Sequence, residues 1–299
     1  MKLLEQLYLI HSPSRCEARM STFVQTHLRA LRVPFNLGPA GLIYRLDRPG
    51  KPMVSAHMDQ VQTRPCKEVL SRAGGSILIS STGLGADDKN GIWIVLELLS
   101  KHDKELNFIF SVQEELGAGV LADFLPTQKE LLAKIPYALV FDRRGWGDII
   151  CEDNGYGTRA FEKDLVKIGS VYGYRDRSGV FSDADRISKY MSCANLSCGY
   201  FDAHSTDEYT LVPALENALE FGAGIVKTLT KRYEIPEHGR WDHSEAQWAM
   251  PFDVEEESLL FICPHCYTAV DWQDENTLCE MCGELLCWEE IIVEEVGFL

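Results

Sequence analysis

The chain has 299 residues, 45% hydrophobic and 25% charged, enough for one large α/β domain with a small appendage and too apolar for wholesale disorder. Its formal net charge of -16 opposes attraction to nucleic acid or an anionic membrane and suits cation binding. No apolar run approaches the roughly 18 residues that span a bilayer, and the opening residues lack a signal peptide's apolar stretch and cleavage site, so a cytoplasmic protein is expected.

In chain order, residues 2–31 carry apolar side chains at helical spacing on both sides of His11-Ser12-Pro13-Ser14, which predicts two helices around a turn. Residues 42–46 and 52–56 are short apolar runs flanked by Gly and Pro, hence strands. The second leads into Ala56-His57-Met58-Asp59, a histidine just past a strand with a carboxylate two residues on that can hold its ring. Alone, such a pair is more often an incidental turn feature than a site.

Gly85-Ala86-Asp87-Asp88-Lys89-Asn90-Gly91 then opens a helix through 91–100. An N-cap accounts for one of its two aspartates. Adjacent carboxylates repel, so the pair is better explained if a divalent cation offsets the charge. A strand over 107–112 runs into Gln113-Glu114-Glu115, again two carboxylates at a strand end. They read either as a solvated helix start or as one metal ligand beside one proton acceptor. Residues 120–134 are predicted helical, and 137–141 form a buried strand closed by Asp142. Residues 192–199 read as a strand, followed by Tyr200-Phe201-Asp202-Ala203-His204, and 210–230 as a long closing helix. Such alternation predicts a mainly parallel mixed sheet sandwiched by helices, with functional residues at the carboxyl ends of the strands.

Five short elements in order, all at strand ends and all offering nitrogen or oxygen ligands, are far more specific than any one alone. Together they resemble the co-catalytic zinc peptidases, the superfamily of bacterial leucyl aminopeptidase, peptidase T and the glutamate carboxypeptidases. The resemblance covers roughly residues 1–230 and is strongest at His57-Met58-Asp59, Asp87-Asp88-Lys89, Glu114-Glu115, Asp142 and His204. It implies the zinc-peptidase (phosphorylase/hydrolase-like) fold, with Asp87 bridging two zinc ions, His57 and Asp142 completing one site and Glu115 and His204 the other. It further implies Glu114 as general base, Asp59 as the group orienting His57, and a cis Asp87–Asp88 peptide bond. Cobalt or manganese can replace zinc in such sites.

About 30 residues separate His57 from Asp87 and about 60 separate Asp142 from His204, too few for the extra domain or the lid of other branches. The chain is therefore similar in build to the compact, lidless aminopeptidases. A residue of the domain itself must then replace the lid histidine at the substrate carbonyl, with Tyr156, Tyr200 and Tyr209 as candidates. The substrate expected is a peptide or small amide, cleaved by an aminopeptidase or another exopeptidase. Dipeptidase, carboxypeptidase and N-acyl amino acid deacylase are the alternatives, and an inactive binding protein is the non-enzymatic one. A free amine would be met by Asp183, Asp207 or Glu208, and a carboxylate by Arg143, Arg144 or Arg186.

The tail carries Cys263-Pro264-His265-Cys266 and Cys279-Glu280-Met281-Cys282, two C-x2-C pairs with a twelve-residue spacer. Four thiolates satisfy tetrahedral zinc, so a zinc ribbon with one structural ion is expected in preference to an iron site or disulfides. The surrounding Glu289, Glu290, Glu294 and Glu295 speak against nucleic acid, leaving stabilisation, a protein contact, homo-oligomerisation or a substitute lid as its role. The other six cysteines show no pairing pattern and are expected to be reduced. The domains expected are a catalytic unit over 1–232, an acidic linker over 233–258 and the ribbon over 259–299.

Overall fold

Four strands buried on both faces, Asn107–Ser111, Met53–His57, Ala138–Arg143 and Cys193–Ser197 in spatial order, form the parallel centre of an eight-stranded mixed sheet in the computed structural model of the protein. The sheet is extended by Ile43–Arg45 and Asn36–Leu37 on one side and by Asp148–Ile150 and Arg175–Arg177 on the other. The structure describes residues 2–236 and, beyond them, only the backbone of three short strands. The elements run α1 (Lys2–Tyr8), α2 (Ala18–Ala30), β1 (Asn36–Leu37), β2 (Ile43–Arg45), β3 (Met53–His57), β4 (Leu70–Arg72), β5 (Ile77–Ile79) and α3 (Ala86–His102). They continue with β6 (Asn107–Ser111), α4 (Gly119–Thr127), α5 (Lys129–Leu132), β7 (Ala138–Arg143), β8 (Asp148–Ile150), α6 (Arg159–Gly169), β9 (Arg175–Arg177) and α7 (Asp183–Ile187). β10 (Cys193–Ser197), β11 (Tyr200–Phe201), β12 (Tyr209–Leu211) and α8 (Val212–Thr228) complete the unit.

Every residue of β3, β6 and β10 is buried, as strands covered on both faces must be. Helix α3 packs on β3 and β7 beside α1 and α8, while α7 packs on β3, β7 and β10 beside α4. The core is continuous, running from Leu4 and Leu7 of α1 through Phe108, Phe110, Leu139 and Phe141 to Phe221 and Ile225 of α8. Local chemistry sets several boundaries. Thr158 caps α6 by accepting the amide of Phe161, Ser182 caps α7 by accepting that of Ala184, and Pro213 occupies the first turn of α8.

The α/β alternation is as expected, but a second, antiparallel sheet of order β11-β12-β5-β4 was not anticipated. Its strands are two or three residues long, too short to show an apolar period. Helix α8 accordingly starts at Val212 instead of 210, because Thr210 and Leu211 pair with Leu78 and Ile77 of β5. Tyr233, placed at the head of the expected linker, packs against Tyr137 and Phe161 of the core.

The chain divides into two units, Met1–Asp242 and His243–Leu299. In the second, β13 (Leu260–Ile262), β14 (Ala269–Val270) and β15 (Ile292–Glu294) make an antiparallel sheet of order β14-β13-β15. Cys263, Cys266, Cys279 and Cys282 lie outside the described residues. Among the described residues Cys16, Cys66, Cys151, Cys193 and Cys198 are buried and none is joined in a disulfide. No helix among the described residues is long and apolar enough to cross a membrane.

Helix α3 lies tight against the sheet at Gly91, where a Cβ would stand 2.2 Å from the Phe141 carbonyl oxygen and 2.4 Å from the Asp88 carboxylate. Neither the strand backbone nor the buried carboxylate can retreat. Gly91→Ala is therefore expected to lower stability by at least about 1–3 kcal/mol, read as a lower urea midpoint with an unchanged slope.

Candidate metal centre

The sheet register sets the first contacts of the site. His57 ends β3 opposite Ser111 of β6, and pairing of Ser55 with Val140 brings Asp142 level with His57 on β7. Past Ser111 the chain turns at Gln113, which takes a left-handed φ of 57°, and Glu114 and Glu115 start a short 3-10 turn. His204 comes from the β11–β12 connection and is likewise left-handed. Asp87 stands at the head of α3, joined to Asp88 by a cis peptide bond, as the family resemblance implies.

The two aspartates part company at once. Asp88 is fully buried and both of its oxygens are taken, Oδ2 by the His57 amide at 3.2 Å and Oδ1 by the Gly91 amide at 3.0 Å. It acts as the helix cap, since Asp87 and Asp88 have non-helical backbone angles and the Gly91 amide is the one that a cap at Asp88 satisfies. Asp87 is left to face the site. Its own amide and that of Ala86 donate to Glu208, a wholly buried carboxylate that also accepts the Gln62 side-chain amide.

Asp59, equally buried, gathers the opposite wall. Oδ1 accepts the Glu114 amide at 3.0 Å and lies 3.3 Å from His57 Nδ1, and Oδ2 accepts the Glu115 amide at 3.2 Å and the Ser14 hydroxyl at 2.7 Å. The expected clamp on His57 is thus also the acceptor for the backbone that carries both glutamates.

Around these supports the potential ligand atoms converge. His57 Nε2 lies 3.2 Å from Asp87 Oδ1 and 3.6 Å from Asp142 Oδ1. His204 Nε2 lies 3.3 Å from the other oxygen of Asp87 and 3.2 Å from Glu115 Oε1. Ligand atoms on a tetrahedral zinc with bonds of about 2.0–2.2 Å stand about 3.3–3.6 Å apart, so both groups have the spacing of a coordination shell. Glu115 Oε1 is buried and, among the described residues, meets no donor beyond the His204 imidazole beside it, so it is open to a cation. Proximity alone also permits sets of His57 with Glu114 and Asp142, or of Asp87, Asp88 and Asp142. Asp88 is spent on amides, and Glu114 Oε2 is the most distant contact of His57 Nε2 at 3.9 Å, so we assign neither as a ligand.

Electrostatics favour the same filling. Burial pushes Glu114 well above the usual carboxylate range, reinforced by the charge of Asp142, and burial likewise lifts Asp142 to about 7. His204 is raised to about 10 by Asp87 and Glu115. For His57 and Asp87 burial opposes the charged form, but the mutual contacts prevail, so His57 is raised and Asp87 held well down.

All seven residues expected in the catalytic unit, His57, Asp59, Asp87, Glu114, Glu115, Asp142 and His204, are brought together. Of the three tyrosines considered, only Tyr200 touches the cluster, its hydroxyl donating to Asp142 Oδ1 at 3.3 Å; Tyr156 donates to the Val180 carbonyl and Tyr209 stacks on Phe201. Among the charged candidates for substrate binding, Glu208 is consumed by Ala86, Asp87 and Gln62 and Asp183 is buried against Ser111, whereas Asp207 is exposed. Arg143 is paired with Asp148, Arg186 donates to the Gly117 carbonyl, and Arg144 is exposed. The roles of Ser14, Asp88 and Glu208 as supports have no sequence signal beyond their proximity to the motifs.

No protein-family model matches the chain, and neither does any curated protein. Solved structures share its fold. They include the aminopeptidase PepT of Bacillus cereus, 16% identical over 75% of this chain and 96% of that one with a TM-score of 0.59. A tripeptidase of Staphylococcus aureus is 15% identical over 76% of this chain and 96% of its own, TM-score 0.62. The TET1 peptidase of Pyrococcus horikoshii, which can assemble into a tetrahedron or a large octahedral shell, is 15% identical over 76% and 99%, TM-score 0.54.

Two outcomes test the site as a metal centre. Asp59→Ala is expected to weaken zinc binding about 10- to 100-fold, measured by competition with a chromogenic chelator. Zinc uptake by the metal-free protein is expected to release protons and to tighten as pH rises, because imidazoles with raised pKa must deprotonate to ligate; calorimetry in buffers of different ionisation enthalpy reads the proton count.

Proposed function

We propose that this chain is a zinc-dependent aminopeptidase that cleaves short peptides. The observation that carries the reading is one aspartate, Asp87, offering an oxygen to each of two ligand groups, with the buried carboxyl of Glu114 beside them. His57 and Asp142 would hold one zinc, Glu115 and His204 the other, and Asp87 both. The naming of similarly folded proteins as an aminopeptidase and a tripeptidase supports peptides as the substrate class. When bound, a zinc pair polarises a scissile carbonyl and lowers the pKa of water towards neutrality.

The chain's own residues supply the rest. Glu114 is buried and reaches towards the groups at His57 without being bound into them, so its carboxylate is free to take a proton from water and return it to the leaving amine. Burial and the charge of Asp142 raise its affinity for a proton, which favours its uptake from water. Asp59 keeps the His57 ring oriented and the Glu114 backbone in place at once. Tyr200 fixes Asp142 through its hydroxyl. The exposed Asp207, in the connection that carries His204, is the acidic group left to meet a substrate amine.

In the second unit Cys263, Cys266, Cys279 and Cys282 would hold a further, structural zinc, for a total of three per chain. A ribbon of this kind offers a contact for self-association or for a protein partner.

Glu114→Gln is expected to reduce kcat about 10²- to 10⁴-fold while metal content stays at that of the parent, measured by elemental analysis and by release of amine from amino-acid amides and dipeptides. Cleavage confined to N-acyl amino acids or to carboxyl-terminal residues would redirect the reading to a deacylase or carboxypeptidase. A single zinc per chain with no hydrolysis after addition of zinc, cobalt or manganese would point to a binding protein.

A further inference from the structure

The turn bearing Glu114 and Glu115 is held by a second carboxylate, one from the opening segment of the chain. Glu17 precedes α2, is 3% exposed, and accepts the Gln113 amide through Oε1 at 3.1 Å. The same oxygen accepts the amide of Arg15 at 3.1 Å, anchoring the loop whose Ser14 donates to Asp59. Three consecutive amides, those of Gln113, Glu114 and Glu115, therefore end on two buried carboxylates, Glu17 for the first and Asp59 for the other two.

Strand β6 has ended at Ser111, so these amides have no sheet ladder to bond. Side-chain acceptors must replace it, because a buried amide without a partner is costly. The need is greatest at Gln113, whose φ of 57° is strained for a residue with a Cβ and persists only where neighbours hold it. Releasing that residue would rotate the peptide that follows and swing both glutamates together. Burial, with the charge of Asp59 adding to it, pushes the Glu17 carboxyl up to about 7, so its capacity as an acceptor matters more than its charge.

Building on the assignment of Glu114 as base and Glu115 as ligand, we infer that Glu17 is a positioning residue of the site: it locks the left-handed Gln113 turn so that Glu114 and Glu115 stand in their working places, without itself touching substrate or metal. The opening segment then supports the site through Ser14 and Glu17, although it contributes no ligand.

Three variants separate an acceptor from a charge. Glu17→Gln keeps Oε1, Glu17→Asp keeps the charge but is one carbon short of Gln113, and Glu17→Ala keeps neither. Each is compared with the parent by kcat and KM on an amino-acid amide, by zinc content, and by hydrogen exchange of residues 112–118. Glu17→Gln is expected to match the parent, whereas Glu17→Ala and Glu17→Asp lose kcat about 10- to 100-fold with KM little changed. In the latter two, exchange at 113–115 is expected to quicken about tenfold while β3 and β7 keep their protection.

Full kcat and full protection in Glu17→Ala would overturn the inference, as would a loss in Glu17→Gln as large as in Glu17→Ala, or faster exchange spread evenly over the whole domain. If the parent hydrolyses none of the substrates, the assignment of Glu114 fails, and exchange at 113–115 still decides whether Glu17 holds the turn. Should Glu17→Ala not fold, the contrast between the glutamine and aspartate variants carries the test.

Discussion

A carboxylate removed from water must be met by donors, and Asp59 is met by the Ser14 hydroxyl and the amides of Glu114 and Glu115, with the His57 ring against the same group. Those partners come from the opening loop, from β3 and from the end of β6. The single side chain therefore ties three parts of the chain to one point, and the distance between His57 and the two glutamates follows from it. Asp88 and Glu208 repeat the device on the other wall, taking the amides of His57, Gly91, Ala86 and Asp87. Buried acids serve here as scaffolding for backbone that has left its ladder.

This arrangement concentrates negative charge in the interior. Asp59, Asp87, Asp88, Glu114, Asp142, Asp183 and Glu208 are drawn towards one region, and burial together with mutual repulsion lifts the carboxyls of Asp88, Glu114, Asp142, Asp183 and Glu208. Such a cluster is tolerable when its charge is balanced. Some of the balance comes from amides, but Asp87, Glu115 and Asp142 have no amide partner for the oxygens that face one another. Those are the oxygens with the spacing of a metal shell.

The central layer was legible in the sequence because its strands are mostly apolar runs bounded by turns, and the ligand motifs because most sit where such a run stops. Residues 53–57, 107–111 and 138–143 are strands close to where the patterning puts them. The small antiparallel sheet was not legible, since pairs such as Tyr200 with Thr210 involve strands of two and three residues that carry no period. Yet that sheet is what presents His204, and a reading of alternation alone supplies no means of placing it.

The sequence by itself determined which groups are available: the histidines, the paired acids, the turns next to them and the spacing between the motifs. What its local pattern could not determine, the family resemblance apart, is which acid of a pair faces the site. Asp87 and Asp88 are chemically identical neighbours, as are Glu114 and Glu115 one residue apart. Only the tertiary structure separates them, because the choice rests on backbone amides from distant elements, those of His57 and Gly91 claiming Asp88, and on the carboxylates Asp59 and Glu17 fixing the turn before Glu114. Hydrogen bonds between residues far apart in the chain leave no trace in local pattern, and they are what divides scaffold from site.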